Sequence, residues 1–448
     1  MKRKLFCLGM ILCLLTGNSR AQEKKLWTLK DCINYALQNN ISLQKINIQK
    51  QSSHEDLLQS QAALLPSLSA STSHNLAYTP WPETGRSTVA NGYAVTSIDK
   101  IYYNGSYGVN GNWTVWNGGK NTNTVKLNKL YEEQAELDSA VTANQLQEQI
   151  AQLYVQILYS DEAIKVNEQS AETTRKNEER GKTMVQVGKM SKADLAQLTA
   201  QRAQAEFNIV DAKSNLRNYK RQLKQLLQIT DGQEFDIEVP TTTDEMALQL
   251  IPALNEVYTA ALAIRPEIRN VTLGIEASDL NLKIAKAGKL PQIGVNAGFS
   301  TNTTSMNDKA WGSQLKSNVN FGTGVSLSIP LFDQRQTKSA VNKALLQKDN
   351  YMLDLKDKQT TLYSTIENYW LQAVNNQDKF KAAKISTESQ QASFELLSEQ
   401  FRLGLKNIIE LMTGADNLRA AQQNELQSKY LAILNIEMLK FYRDGSIR

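Results

Sequence analysis

The sequence has 448 residues, with 50 Lys and Arg against 45 Asp and Glu, and a formal net charge of +5. Four positive charges lie near the start, at Lys2, Arg3, Lys4 and Arg20, so the remainder of the chain is close to neutral. This balance excludes a strongly basic nucleic-acid surface, and we expect no nucleic-acid partner.

The first segment is predicted to be a signal peptide. A basic start precedes an apolar run from Leu5 to Leu15, and the small-residue exit Ser19-Arg20-Ala21 follows. These features predict a secretory leader, residues 1–21, that is cleaved after Ala21. Cys13 lacks the small preceding residues of a lipidation site, so lipidation is disfavoured. Cys32 then remains as the single cysteine, predicted to be a small buried residue of the first helix.

Two long helices are predicted from the distribution of proline. No proline lies between residues 83 and 239, and none follows Pro330. Because proline costs about 3 kcal/mol inside a helix, these tracts permit continuous helices from Asn117 to about Val187 and from Asp333 to about Leu403. Each would be about 100 Å long, which predicts an elongated helical bundle or barrel.

Four segments are predicted to be strands, at residues 67–73, 107–116, 293–300 and 319–331. In each, apolar residues alternate with Gly, Ser and Asn, and the polar face carries scarcely any charge. A soluble sheet packed on a core can show this alternation. Strands between lipid and a water-filled lumen require it, and we favour that interpretation.

Four strands cannot close a barrel, and an open edge is not tolerated in lipid because its backbone groups would be unpaired. The sequence therefore predicts a barrel shared between chains, and a homotrimer supplies twelve strands. The intervening segments 74–106 and 301–318, rich in Gly, Ser, Asn and aromatic residues, are predicted to be loops at the cell surface.

The chain also repeats itself. Residues 62–71 are similar to 287–296, and residues 115–130 are similar to 331–346. The predicted division is a first repeat at 22–239, a linker at 240–252 and a second repeat at 253–448. The two pairs of similar segments are separated by different numbers of residues. We expect the difference to lie in the loops between the strands, where insertions are tolerated.

Each long helix ends in a similar short break, "VQVGKMSKADLA" (185–196) and "FRLGLKNIIELM" (401–412). A helix that reverses needs a residue at positive φ, which Gly188 and Gly404 can adopt without penalty. Two pairs then have the spacing of a capping box for the returning helix, and these are Ser191 with Asp194 and Asn407 with Glu410. The breaks are predicted to be tight helical hairpin tips.

These motifs together resemble the outer-membrane efflux proteins, the TolC family. The resemblance extends from "WTLKDCINYALQNN" (27–40) to "LNIEMLKFY" (434–442), and rests on the repeat, the joint "IPLFD" (329–333) and both tips. The second joint departs from the first, since Gln334 and Arg335 replace Gly118 and Gly119. The implied fold is a mixed α and β membrane protein, with a long α-helical barrel, a transmembrane β-barrel shared by a trimer, four strands per chain and a two-fold repeat.

The resemblance implies a passive duct in the outer membrane with a helical tunnel in the periplasm. The duct would conduct solutes to the exterior as part of a tripartite efflux system or a type I secretion system. An inner-membrane pump and a periplasmic adaptor would be its partners, with the adaptor docking at the hairpin tips, Val187, Gly188, Leu403 and Gly404. It also implies a periplasmic gate, in which Asp194 and Glu410 form acidic rings and Lys406 is their basic partner. The cap role and the gate role are compatible in one residue.

No catalytic, metal or cofactor site is expected. The two histidines have no ligand neighbours at metal spacing, and phosphate-loop, dinucleotide and nucleophile-elbow motifs are missing from the sequence. Two alternatives remain, a structural or adhesive periplasmic coiled coil and the adaptor of the same pump. The first leaves the alternating strands unused, and the second would have one hairpin rather than two.

Overall fold

The computed structural model describes residues 26–81, 85–89, 92–96, 99–230 and 235–447, so the predicted leader at 1–21 lies outside it. The first half of the chain contains β1 (Leu26–Trp27), α1 (Leu29–Asn39), α2 (Ile41–Ala62), β2 (Ser67–Tyr78), β3 (Gly85–Val89), β4 (Gly92–Thr96), β5 (Ile101–Trp116), α3 (Lys120–Gln186) and α4 (Lys192–Leu226). The second half contains β6 (Asp236–Ile237), α5 (Asp244–Ala247), α6 (Leu254–Ile264), α7 (Pro266–Ala287), β7 (Gln292–Thr304), α8 (Trp311–Ser317), β8 (Asn320–Ser328), α9 (Gln336–Arg402) and α10 (Ile408–Asp444).

The two long helices are confirmed. α3 and α9 each have 67 residues, and their ends lie within three residues of the predicted ones. α9 begins at Gln336, 216 positions after the start of α3 at Lys120. Among the described residues, no helix is long and apolar enough to cross a membrane.

The chain divides into two compact units, and the first contains the described residues of 26–46, 138–268 and 357–447. Its core begins at α1, where Thr28 and Asp31 form a capping box and Cys32, Ile33 and Ala36 are buried. These side chains pack in one cluster with residues of α3, α4 and α10, namely Leu146, Ile150, Tyr154, Ile157, Leu158, Leu223 and Tyr430. The predicted burial of Cys32 is therefore confirmed.

The predicted linker at 240–252 is packed against this unit. Ala247, on the short helix α5, is fully buried in a cluster with Phe380, Ala432 and Ile433. The Asp244 carboxylate forms ion pairs with Lys384 Nζ at 2.7 Å and with Lys429 Nζ at 3.1 Å. Since Lys384 lies on α9 and Lys429 on α10, the linker is fastened to both helices of the second hairpin.

We expect Asp244→Asn to loosen this attachment in a pH-dependent way. The hydrogen bond from Lys384, helped by Lys429, lowers the pKa of Asp244 from its ordinary value of 3.8. The stabilisation that the Asp244 ion pairs provide is therefore present at pH values above the ordinary pKa. It is lost as the pH falls through the lowered pKa of the folded protein. Hydrogen exchange of the 244–249 amides should be faster in Asp244→Asn at neutral pH and should converge with wild type in acid. Asp378→Asn is the control, because Asp378 pairs with Lys381 on its own helix; equal acceleration there would contradict the assignment.

The second unit, residues 47–137 and 269–356, contains an antiparallel sheet in the order β2-β5-β7-β8. The four predicted strands are all confirmed, and β2 and β8 are the two outer strands. The pairing aligns rows of residues across the whole sheet, for example Ala70, Val109, Phe299 and Phe321. One face therefore carries the apolar side chains, Leu68, Ala70, Val109, Trp113, Val295, Phe299, Phe321 and Val325.

The opposite face of this sheet is small and polar. Its rows contain Ser71, Gly108, Ser300 and Asn320, then Ser69, Asn110, Gly298 and Gly322. Because neighbouring residues on a strand point to opposite faces, this register keeps the two compositions apart over all four strands. The alternation predicted for the single strands is thus a property of the whole sheet.

The predicted strand ends and surface loops were partly wrong. β2 continues to Tyr78, β5 begins at Ile101 and β7 continues to Thr304, so the predicted loops 74–106 and 301–318 contain strand residues. The first also contains the hairpin β3–β4, and the second contains α8. Conversely β8 ends at Ser328 rather than at 331, where Pro330 lacks the N–H that a ladder needs.

The two strand-to-helix joints share one backbone conformation. Gly118 and Gly119 have φ of 70° and 77°, and Gln334 and Arg335 have φ of 51° and 69°. The second joint therefore differs from the first in its residue types but has the same left-handed backbone turn. At Gly118 an added Cβ would lie 2.9 Å from Leu290 Cβ, so glycine is required there for space as well as for φ.

Candidate functional site

The first hairpin tip joins α3 to α4 through a Schellman turn. Gly188 has φ of 72° and its N–H donates to the carbonyl of Val185 at 3.1 Å. The N–H of Lys189 donates to the carbonyl of Met184 at 2.8 Å. These are the two hydrogen bonds that close a helix with a left-handed residue.

The second tip joins α9 to α10 in the same way. Gly404 has φ of 76°, and its N–H donates to Phe401 O at 3.0 Å. The N–H of Leu405 donates to Gln400 O at 2.9 Å. The positive φ predicted for both glycines is confirmed, and the two tips are built alike.

We expect Gly188→Ala to destabilise the first tip by about 1–2 kcal/mol, the cost of a left-handed conformation in a residue with a Cβ. No heavy atom lies within 4 Å of a Cβ placed at Gly188, so backbone strain is the whole effect. Gly188→Asn should cost less, because asparagine tolerates this conformation. The measurement is the protease sensitivity of residues 184–192. Protease sensitivity that is highest in Gly188→Ala, lower in Gly188→Asn and lowest in wild type supports the assignment. Equal sensitivity of Gly188→Ala and wild type contradicts it.

The returning helix of the first tip has the predicted cap. Ser191 Oγ accepts the Asp194 N–H at 3.0 Å, and the Asp194 carboxylate accepts from the Ser191 hydroxyl at 2.8 Å and from its N–H at 3.4 Å. The capping box predicted from the spacing is therefore complete.

The second returning helix has half of the predicted cap. Asn407 Oδ1 accepts the Glu410 N–H at 2.9 Å, as expected. The Glu410 carboxylate does not return to the Asn407 backbone; it pairs with Lys406 Nζ at 3.0 Å. The reciprocal box predicted at Asn407 and Glu410 was wrong, because a lysine four residues earlier competes for the carboxylate as a charged partner.

The three predicted gate residues are thus only partly brought together. Lys406 and Glu410 form an ion pair on one tip, with both side chains about 40% exposed. Asp194 lies on the other tip, where its carboxylate is engaged by Ser191. A pairing of Lys406 with Asp194 from an adjacent hairpin stays a prediction.

The two tips are held by a shared apolar cluster. Leu198, Phe401, Ile408 and Leu411 are buried there, and Met184, Met190, Phe394 and Met412 pack around them. The outermost side chains are instead exposed, with Val187 at 62% and Leu403 at 58%. Leu405 and Ile409, which no sequence motif singles out, are exposed as well.

An ion pair between the two helices of the first hairpin, with a buried carboxylate, was also missed. Glu178 on α3 accepts from Arg202 Nε on α4 at 2.9 Å and from the Thr199 hydroxyl at 2.9 Å. The Thr199 hydrogen bond, with Lys182 and Arg202, lowers the pKa of Glu178. The pairing of Glu178 with Lys182 at i,i+4 was visible in the sequence, but the contact to α4 depends on the helical hairpin.

Among the described residues, no group of His, Cys, Asp and Glu is arranged to hold a metal ion. His54 instead pairs with Glu132 at 2.8 Å. The candidate functional features of the described residues are the two-faced sheet and the pair of tips.

Comparisons with known proteins agree on one fold. The sequence profile of a family described as outer membrane efflux protein matches residues 32–228 and 257–440. The chain is 20% identical to the outer membrane protein TolC of Vibrio cholerae serotype O1 over 426 residues, which cover 92% of this chain and 89% of that protein.

Solved structures show the same similarity. CusC superposes with a TM-score of 0.77 at 17% identity, over 93% of this chain and 91% of that one. The CmeC outer membrane channel of Campylobacter jejuni superposes with a TM-score of 0.76 at 18% identity, over 93% and 86%. At these identities the structural likeness establishes the fold.

Proposed function

This chain belongs to the outer membrane efflux protein family and is an efflux channel of the outer membrane, and from this premise we propose that it is a passive homotrimeric duct. Each copy contributes four strands to a twelve-stranded barrel in the outer membrane and two helical hairpins to a periplasmic tunnel. An inner-membrane pump and a periplasmic adaptor supply the energy and the connection. The duct itself is not an enzyme.

One observation carries this proposal, the two-faced sheet with its two outer strands. The apolar face includes Val325, which is 76% exposed, and Phe321, which is 77% exposed, in the single chain. An apolar surface of this kind requires lipid or a partner to cover it. The outer strands β2 and β8 would pair with those of neighbouring copies, which removes the open edges. A periplasmic coiled coil or an adaptor would leave both features unexplained.

The proposed domain division is a leader at 1–21, repeats at 22–239 and 253–448, and a linker at 240–252 in the equatorial region of the tunnel. Paired elements of equal length support it. α1 and α6 have 11 residues each, α2 and α7 have 22 each, and the second member of each pair begins 225 positions later. The attachment of α5 to α9 and α10 supports the role given to the linker.

The proposed gate and docking site lie at the tips. Lys406, Glu410 and Asp194 would close the periplasmic mouth, and the adaptor would contact Val187, Gly188, Leu403 and Gly404. The exposed apolar side chains of Val187 and Leu403, each beside the glycine of a Schellman turn, support docking of an apolar partner surface.

Cysteine labelling on whole cells tests the orientation of the duct. Asn307→Cys, in the exposed segment between β7 and α8, should react with an impermeant thiol reagent on intact cells, and Ser87→Cys should react likewise. Lys189→Cys, at the exposed first tip, should react only after lysis. The native Cys32 is buried and gives little background. Labelling of the tip on intact cells, or of Asn307→Cys only after lysis, would reject the proposal.

A further inference from the structure

Arg265 is a buried cation at a break between two helices. It ends α6, and Pro266 begins α7, so its backbone is extended and fixed. Its side chain is 4% exposed in the first unit. The guanidinium carbon lies 3.8 Å from the centre of the Tyr442 ring and 4.5 Å from that of Phe441.

No described residue accepts a hydrogen bond from the edge of this guanidinium. Nε and Nη2 are both buried and lack a partner. Arginine stays charged under all ordinary conditions, so this is a buried charge with unmet donors. The two aromatic rings compensate part of its desolvation through cation–π contacts, but they do not replace acceptors for N–H groups.

A pocket of about 260 Å³ lies beside this side chain. Its polar lining includes Gln145, Glu148, Glu267, Lys358, Thr361 and Thr365. Glu148 already accepts from the hydroxyls of Tyr369 and Tyr442, the second at 3.3 Å, so its charge is partly compensated. Lys358 adds a second cation, and Glu267 is the carboxylate that opposes an incoming anion.

We propose that this pocket binds a small oxyanion, a carboxylate or a phosphate, through Arg265. The Nε and Nη2 donors form the edge of the guanidinium that matches two oxygens of such a group. A small turn of the side chain away from the Tyr442 ring would present this edge to the pocket, where Lys358 supplies further positive charge. The site lies away from both hairpin tips in sequence, and it is independent of the duct function proposed above.

Calorimetric titration of the purified, detergent-solubilised protein with inorganic phosphate and with acetate, at ionic strength fixed with sodium chloride, tests this site. Wild type should bind at least one anion, and the choice between phosphate and acetate identifies the class. Arg265→Met should weaken binding by about tenfold or more, since hydrogen bonds to a charged group are lost. Glu267→Gln should tighten it. Arg402→Met is the matched control, because Arg402 is exposed and paired with Glu399.

Folding of Arg265→Met can be checked independently, by the yield of assembled protein on an unheated gel. Removal of a buried charge without acceptors should leave that yield unchanged. If the variant fails to assemble, Lys358→Gln provides the second test and should weaken binding several-fold. The proposal would be overturned if the wild-type protein bound neither anion, or if Arg265→Met bound an anion as tightly as wild type. A third contradicting result is that Arg265→Met fails to assemble and wild type binds no anion. The last result would indicate that a second copy supplies the acceptor.

Discussion

Val325→Arg is expected to abolish assembly in the outer membrane, whereas Ser326→Arg should assemble and narrow the lumen. Val325 lies on the apolar face of β8, paired with Val295 on β7. Ser326 lies on the opposite face, paired with Gly294. A lipid-facing arginine near the bilayer midplane costs about 2–4 kcal/mol, and in the proposed trimer this cost would arise once in each of the three copies. The two substituted positions are adjacent in the chain but lie on opposite faces of the sheet.

The measurement is the amount of assembled protein in the outer-membrane fraction, together with single-channel conductance for whatever assembles. Ser326→Arg should give a wild-type yield with reduced conductance. Val325→Leu is the matched control for the position, since it keeps an apolar side chain there. Equal loss of assembly in both arginine variants would contradict the assignment of the two faces.

Lys406→Glu is expected to raise the resting conductance of the purified protein with little change in its yield. The substitution removes the ion pair with Glu410 and places like charges at i and i+4. One exposed pair is worth only about 0.2–1 kcal/mol, so a single chain would hardly respond. In the proposed trimer the same change would act three times around one mouth.

The charge swap Lys406→Glu with Glu410→Lys provides the sharper version of this test. It restores an opposite-charge pair on the same helix, so it should return the conductance towards wild type if the Lys406–Glu410 pair holds the mouth. If Lys406 instead pairs with Asp194 of an adjacent hairpin, the channel formed by the charge-swap variant should keep a raised conductance. Lys192→Glu, an exposed lysine at the start of α4, controls for added negative charge. Unchanged conductance in a stable Lys406→Glu assembly would remove the gate and leave only the helix caps.

Much of this fold follows from local sequence rules. The proline-free tracts predicted α3 and α9 to within three residues at each end, because proline and glycine are the residues that stop a helix. Gly188 and Gly404 predicted two left-handed turns for the same local reason. The strand alternation predicted the two faces of the sheet, since the period of two is a property of each strand alone.

Features that depend on contacts distant in sequence were not predictable in this way. The strand ends at Tyr78 and Thr304 are set by pairing with β5, which no single segment reveals. Glu410 is a different case, because both possible partners are local: it has the spacing of a capping box with Asn407, but its carboxylate pairs with Lys406. Arg265 looks like an ordinary surface arginine in the sequence, and its burial becomes visible only when α10 places Tyr442 against it.

Disulfide trapping between β2 and β8 tests most directly whether the barrel is shared between copies. Within one chain these outer strands are separated by three strand spacings of about 4.8 Å, too far for a disulfide, whose Cα atoms lie within about 7 Å. Cysteine pairs that combine Ser69 or Ser71 with Asn320 or Gly322 should, in at least one combination, oxidise to a covalent trimer that survives boiling. Neither single variant should do so. Absence of cross-linking in every combination, or a ladder that continues beyond three chains, would contradict a closed trimeric barrel.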